Sequence, residues 1–212
     1  MRTKPVNQQR SREKKEKILA AMDTLLRDKA FSEIGINDIA REAGVSPATI
    51  YQRFQNRDAS ASILLELYFQ RVEEWARRKR KKKVLQGKTS LYDALLSIAY
   101  DAWNQIEALG HIMRPAYLYS RLRPDLAGPE WTRLESIAVE GFRNFLARYR
   151  DVIDSDDLGK TAGVLGYFFN FMMLGRLLHS DDVPSILLRN RDAFARELAT
   201  FAHRYLTRSR GQ

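Results

Sequence analysis

Cysteine is absent from the 212 residues. That excludes a disulfide framework, a thiolate-held metal and a cysteine nucleophile. Histidine is scarce: His111, His179 and His203 are the three in the chain. They fall on separate predicted helices without the spacing of metal ligands. No glycine-rich phosphate loop or nucleophile motif accompanies them, so no enzyme, metal or cofactor is expected. Alternating β-branched runs are missing, and the apolar periodicity is helical almost throughout, which predicts an all-α fold. The longest apolar run, Val164–Leu178, is interrupted by Asn170 and Arg176. It falls short of the roughly 18 clean residues of a membrane span. The first fifteen residues are polar and basic with no apolar stretch behind them, so no signal peptide is expected and the expected setting is cytoplasm.

What is present is positive charge, and it is unevenly placed. Residues 1–83 hold 20 Lys and Arg against 11 Asp and Glu, a net of +9, whereas the remaining residues hold 16 against 15. A basic third joined to a neutral remainder predicts that the N-terminal part meets a polyanion, with nucleic acid the first candidate and an anionic membrane surface the second. A hydrophobic content of 44% is that of a globular protein.

After a basic arm (Arg2 to Lys17), Ile18, Leu19, Met22, Leu25 and Leu26 form the apolar stripe of a first helix ending near Lys29. A second short helix is predicted over Ile36–Ala43, capped by Gly35 and stopped by Gly44, where glycine takes the left-handed conformation without strain. Ser46-Pro47 starts a third, since the serine hydroxyl caps free N–H groups and proline at the first position sacrifices nothing. Ile50 and Phe54 turn inward, leaving Pro47, Ala48, Thr49, Gln52 and Arg53 outward or flanking. Two short helices on a longer one make a helix-turn-helix.

Asn56 is expected to cap a long fourth helix running into the basic stretch Arg77–Lys83. Further helices are expected from Ser90 to about Leu109, over 111–121, from about Glu130 to Tyr149, over 157–179 and over 184–207. Arg123–Pro129 reads as a loop.

In a helix-turn-helix the second short helix enters the major groove with its N-terminal residues against base edges. Small side chains at Pro47, Ala48 and Thr49 allow close approach, and Gln52 suits adenine. Tyr51 and Arg53 suit phosphates, as does Arg57, whose cation opposes the dipole of the helix it begins unless a phosphate docks there. The basic arm has the character of a minor-groove segment. The expected DNA-facing set is Gly35, Asn37, Ser46, Pro47, Ala48, Thr49, Tyr51, Gln52, Arg53 and Arg57.

The stretch ILAAMDTLLRDKAFSEIGINDIAREAGVSPATIYQRFQNRD, residues 18–58, resembles the N-terminal domain of the tetracycline-repressor (TetR) family of bacterial regulators. The resemblance rests on Ile18, Ala21, Leu25, Phe31, Ile39-Ala40, Ala43-Gly44-Val45-Ser46, Thr49-Ile50-Tyr51 and Phe54. It implies an all-helical homodimer in which a DNA-binding domain is joined by a long helix to a variable domain that binds a small inducer and releases the DNA. Thr49 and Tyr51 fall where the family contacts DNA, and Arg57 where it usually has a phosphate-binding lysine. Ile34-Gly35 replaces the usual Thr/Ser pair that caps the second helix, and Ser60 replaces a usual leucine. The implied division is 1–56 for DNA binding with the basic arm and 57–212 for effector binding and dimerisation.

Residues 157–179 are apolar on several faces, with Gly159, Gly163, Gly166 and Gly175 suited to close helix approach. Residues 184–207 carry Leu187, Phe194, Leu198, Phe201 and Tyr205. Meeting their symmetry mates, the two would form an isologous four-helix interface. The expected ligand-facing set is Tyr100, Trp103, Asn104, His111, Arg114, Tyr117, Phe142, Phe145, Tyr167, Asn170 and Phe171, around a cavity for a small, partly apolar effector. The competing reading is a basic architectural DNA binder without an effector. The neutral, aromatic-rich residues after position 83 argue against it, because packaging DNA does not require them. A peripheral membrane protein would need an amphipathic surface helix, and only 77–83 hints at one.

Overall fold

The computed structural model describes residues 4–54, 58–81, 90–179 and 190–207. It is all-α, as the periodicity predicts, with eight α-helices and no strand among the described residues. These are α1 (Lys4–Asp28), α2 (Ile36–Ala43), α3 (Pro47–Arg53), α4 (Ala59–Lys81), α5 (Leu91–Leu122), α6 (Pro124–Ala147), α7 (Leu158–Leu178) and α8 (Arg191–Thr207). Short 3-10 turns lie at Phe31–Glu33 and Arg150–Val152. The chain forms two compact units, Met1–Ala76 with His111–Gly128, and Arg77–Gly110 with Pro129–Gln212. Both α4 and α5 contribute residues to each unit.

The first unit buries Ile18, Leu19, Met22 and Leu26 of α1, Ile39, Ala40 and Ala43 of α2, Ile50 and Phe54 at α3, and Ile63, Leu64 and Leu67 of α4. From α5 it buries Ile112 and Ala116. Residues 4–17 are helical rather than an arm, which corrects the sequence reading, and Arg2 lies outside the described residues. Glu, Lys, Arg and Gln are good helix formers, and the turn-by-turn pair Gln9–Glu13 supports them at 3.3 Å. Side-chain contacts hold this polar half in place: Lys15 pairs with Glu66, Gln70 donates to Glu16 at 3.0 Å, and Arg53 donates to Ser11.

Polar groups also tie α1 to α4 and α5. The Asp23 carboxylate accepts from Arg71 Nε and Nη2 at 3.0 and 2.8 Å and faces His111 Nε2 at 2.9 Å. Burial alone pushes the Asp23 pKa up, but hydrogen bonds from His111 and Arg71, with the Arg71 charge, carry it below its ordinary value.

The second unit packs around Leu95, Trp103, Phe145, Leu146, Leu165, Phe169, Phe194 and Leu198. Aromatic pairs dominate it. Phe168 stacks on Phe201 with ring centroids 4.4 Å apart, Phe142 meets Phe169 at 5.3 Å, and Trp103 meets Phe194 at 5.4 Å. By length and composition α7 is apolar enough to cross a membrane, yet Thr161, Ala162, Leu165, Phe169 and Leu177 are buried in this core.

Three expected boundaries are corrected. The two helices predicted over 90–121 are one, since α5 passes through Pro115. Proline removes one ladder bond, but Ile112 and Ala116, both fully buried, anchor the chain on either side of it. The expected loop Arg123–Pro129 is the start of α6, with Pro124 at its first position, where a missing N–H costs nothing. Buried Ala127 anchors that first turn, and Pro129 lies inside the helix. The helix expected from 184 starts at Arg191, because the Asn190 side chain accepts from Ala193 N at 2.9 Å and caps it there. Leu187 lies outside the described residues. Of the other caps, Ser90 accepts from Asp93 N at 3.1 Å as expected. Asn56 lies outside the described residues, and Asp58 caps α4 by accepting from Ala61 N at 3.1 Å.

Candidate nucleic-acid interface

Local chemistry fixes the start and end of the two short helices. At the head of α2, Gly35 carries the first intrahelical bonds on its carbonyl, from Asp38 N and Ile39 N at 3.1 Å each. The Asp38 carboxylate accepts in return from Gly35 N at 3.1 Å. That hydrogen bond, then the Lys29 and Arg41 charges, hold the Asp38 carboxyl below its usual range. The reciprocal cap therefore comes from the third helical residue, a role the sequence reading missed. Its signal was the spacing Gly35-x-x-Asp38, the acidic half of a capping box. Ile34, which stands where the family has a polar cap, is buried instead.

At the end of α2, Gly44 adopts φ 64° and ψ 37°, and Val45 N donates back to Ala40 O at 3.0 Å. This left-handed stop turns the chain into Ser46, whose hydroxyl accepts from Thr49 N at 3.3 Å and lies 3.0 Å from the Thr49 hydroxyl. Pro47 takes the first helical position. Fully burying a side chain the size of Ile50 contributes about 1.5–3 kcal/mol, against about 1 kcal/mol for a cap. The core thus holds α3 down, while the cap decides where it starts.

With Ile50 and Phe54 buried, α3 presents Pro47, Ala48, Tyr51 and Gln52 to solvent, Tyr51 being 55% exposed. Ser46, Thr49 and Arg53, all expected to face DNA, also have internal partners. Ser46 and Thr49 share the cap. Arg53 Nη1 donates to Ser11 O at 2.9 Å and Ser11 Oγ at 2.8 Å, which joins α3 to α1. Gly35 and Asn37 are exposed at the head of α2. Arg10, Arg12, Lys14 and Lys17 are exposed on α1. Arg57 lies outside the described residues, as do Lys82 and Lys83 of the basic run.

The expected ligand-facing residues divide between the units. His111, Arg114 and Tyr117 belong to the first unit, where His111 meets Asp23 and Arg121 lies over the Tyr117 ring at 5.1 Å. The others belong to the second. Trp103 and Phe145 are buried, Phe142 and Asn104 half-buried. Tyr100 is half-buried and donates to Asp192 at 3.0 Å, a bond that raises the phenol pKa. Tyr167, Asn170 and Phe171 point to solvent instead of inward. Tyr167 is 73% exposed and Phe171 62%, their rings stacked 6.2 Å apart.

Val164 on α7 and Phe201 and Tyr205 on α8 are exposed as well, whereas Phe194 and Leu198 of the same α8 stripe are core. The glycines of α7 also differ from expectation. A side chain at Gly166 would touch Phe142 at 3.6 Å, but at Gly163 and Gly175 it would meet open space.

Comparison with known proteins agrees with this anatomy. The family of bacterial regulatory proteins named tetR matches residues 18–59. No curated protein matches the chain in sequence. Among solved structures, a putative TetR-family transcriptional regulator from Rhodococcus sp. is 18% identical, with a TM-score of 0.62, over 92% of this chain and 99% of its own. GusR of Salmonella enterica is 18% identical, with a TM-score of 0.62, over 97% and 98%. NalD, the secondary repressor of the MexAB-OprM multidrug efflux pump in Pseudomonas aeruginosa, is 21% identical, with a TM-score of 0.56, over 95% and 99%. Residues 18–59, which form the helix-turn-helix, thus match the tetR-family model, and the chain has the all-α fold seen in solved TetR-family regulators.

Proposed function

We propose that this protein is a cytoplasmic, dimeric transcriptional repressor. Its paired α3 helices read a short inverted repeat in successive major grooves, and a small, partly apolar ligand releases it. The observation that carries the reading is the outer face of α3, where Pro47 and Ala48 keep the surface low while Tyr51 and Gln52 stand out from it. Small residues let a helix approach base edges, Gln52 can pair with adenine, and Tyr51 suits a phosphate oxygen. Residues 1–83 carry the net +9 that favours a polyanion.

In this reading residues 1–56 bind DNA, and residues 57–212 bind the effector and dimerise. The second copy docks on α7 and the segment near 184–207, covering Val164, Tyr167, Phe171, Phe201 and Tyr205. Reading an inverted repeat in successive major grooves requires the two α3 helices about 34–36 Å apart, one turn of DNA. A protein acting by binding and release needs no catalytic group, and the regulators it resembles in fold fit that role.

Fluorescence anisotropy against DNA fragments from upstream of its own and neighbouring genes tests the proposal. Binding to one fragment at least a hundredfold tighter than to the others, at constant salt, is expected. Equal affinity for all fragments would replace the repressor with an architectural DNA binder.

A further inference from the structure

Among the described residues, one charged side chain of the second unit lacks the partner that its burial calls for. Arg176 lies in the last turn of α7 and is half-buried. Its guanidinium carbon sits 4.4 Å over the centre of the Trp103 ring. Its Nε is enclosed and makes no hydrogen bond. No ion pair engages it among the described residues. An enclosed charged donor with nothing to accept its proton is costly, and stacking on an indole offsets only part of that cost. The Trp103 indole is itself fixed. It is 3% exposed, packs on Phe194 at 5.4 Å and donates its N–H to Glu107 at 2.7 Å. The cation is therefore held over a rigid ring with its Nε unpaired among the described residues.

The geometry points to Arg176 as the anchor of an anion site whose ligand is a monocarboxylate on an aromatic or alkyl body. A guanidinium fork matches a planar carboxylate through two parallel hydrogen bonds. A phosphate dianion suits the place poorly, since a single Arg would face two charges with the Glu107 carboxylate close to the same indole. The apolar body finds adaptable partners. Met172 and Met173 lie four and three residues before Arg176, on the same face of α7, and are partly buried against the same core. This names the chemical class of the effector proposed above, and it rests on that reading only for the consequence on DNA.

Isothermal titration calorimetry on the full chain tests the site, with phenylacetate and octanoate as probes against phenylacetamide, octanamide and inorganic phosphate. The carboxylates are expected to bind at least tenfold tighter than their amides and than phosphate. Arg176→Gln should abolish that preference, and Arg176→Lys should keep part of it, having the charge without the fork. Equal binding of acid and amide, no binding of either acid, or an Arg176→Gln protein that retains the preference would each overturn the site. Circular dichroism checks that the variant folds; should it not, Arg176→Lys and the wild-type acid-to-amide ratio still decide. DNA anisotropy separates the two proposals. Arg176-dependent carboxylate binding that leaves DNA affinity unchanged keeps the anion site and removes the effector reading. DNA release by a neutral molecule, with no carboxylate binding, does the reverse.

Discussion

The outward faces of α3 and α7 carry opposite kinds of surface, although each belongs to a helix whose other face is fully packed. Outside α3 are small and polar groups with one exposed phenol, and the helices beneath are tied by polar bonds such as Arg53 to Ser11 and Arg71 to Asp23. Outside α7 are Val164 and the stacked Tyr167–Phe171 pair, above a core joined by aromatic rings. The first surface suits a wet, charged partner approached closely, because its apolar area is limited to small groups and one phenol that carries a polar tip. The second suits a dry partner, because exposed aromatic area is stabilised only by being covered. The two surfaces are thus distinguished by side-chain chemistry on helices of one chain.

The sharpest break of this contrast is to charge the dry face. Tyr167→Glu with Phe171→Glu should raise the dimer dissociation constant at least a hundredfold, read by analytical ultracentrifugation. Each aromatic forfeits about 1.5–3 kcal/mol of burial at an interface. Both side chains are largely exposed in the isolated chain, so its melting temperature should hardly move. A variant that stays dimeric at micromolar concentration would move the interface elsewhere on the surface.

A smaller effect is expected on the wet face, where two neighbours should behave differently. Tyr51→Ala should weaken DNA binding roughly tenfold on every sequence, as loss of a backbone contact does. Gln52→Ala should change the ranking of sequences, since a bidentate base contact is worth about 1–3 kcal/mol of discrimination. Anisotropy titrations on a panel of single-base variants of the best fragment measure both. Uniform losses from both substitutions would contradict the division of roles.

The parts of the molecule legible in the sequence are those set within a few residues. Gly44 and Ser46-Pro47 specify the α2–α3 turn through backbone conformation and one side-chain bond, and the structure has that turn. Ser90 likewise starts α5. What escaped was decided at a distance. Pro115 and Pro129 look like breaks, but burial of Ile112, Ala116 and Ala127 carries α5 and α6 through them. The polar start of α1 looks like a free arm until Arg53, 42 residues away, binds Ser11. Arg53 therefore has a partner already in place, which the sequence, showing only a cation and its helix position, does not reveal. Tyr167 and Phe171 read as cavity residues for a related reason. Helical spacing marks them as apolar without saying which side of α7 the monomer covers.

The gentlest test concerns the polar ties that distinguish the first unit, and the sign of its pH dependence is fixed by Asp23. The folded pKa of this carboxyl lies below its ordinary value despite burial, because His111 and Arg71 donate to it. A depressed carboxyl contributes stability that is fully present above its unfolded pKa and is lost as pH falls through the folded one. Asp23→Asn keeps the shape but removes the charge that Arg71 and His111 face. It should cost about 1–3 kcal/mol at pH 7, read as a shift in the urea midpoint with unchanged slope. The gap between wild type and variant should narrow as the pH drops below about 4, where the wild-type carboxyl also loses its charge. A gap that widens on acidification would mean that the Asp23 charge is a burden in the folded chain, and the polar account of the first unit would fail. Tyr167→Glu with Phe171→Glu, by contrast, touches no group of this network, so its pH profile between 7 and 4 should differ from wild type only through the added glutamates.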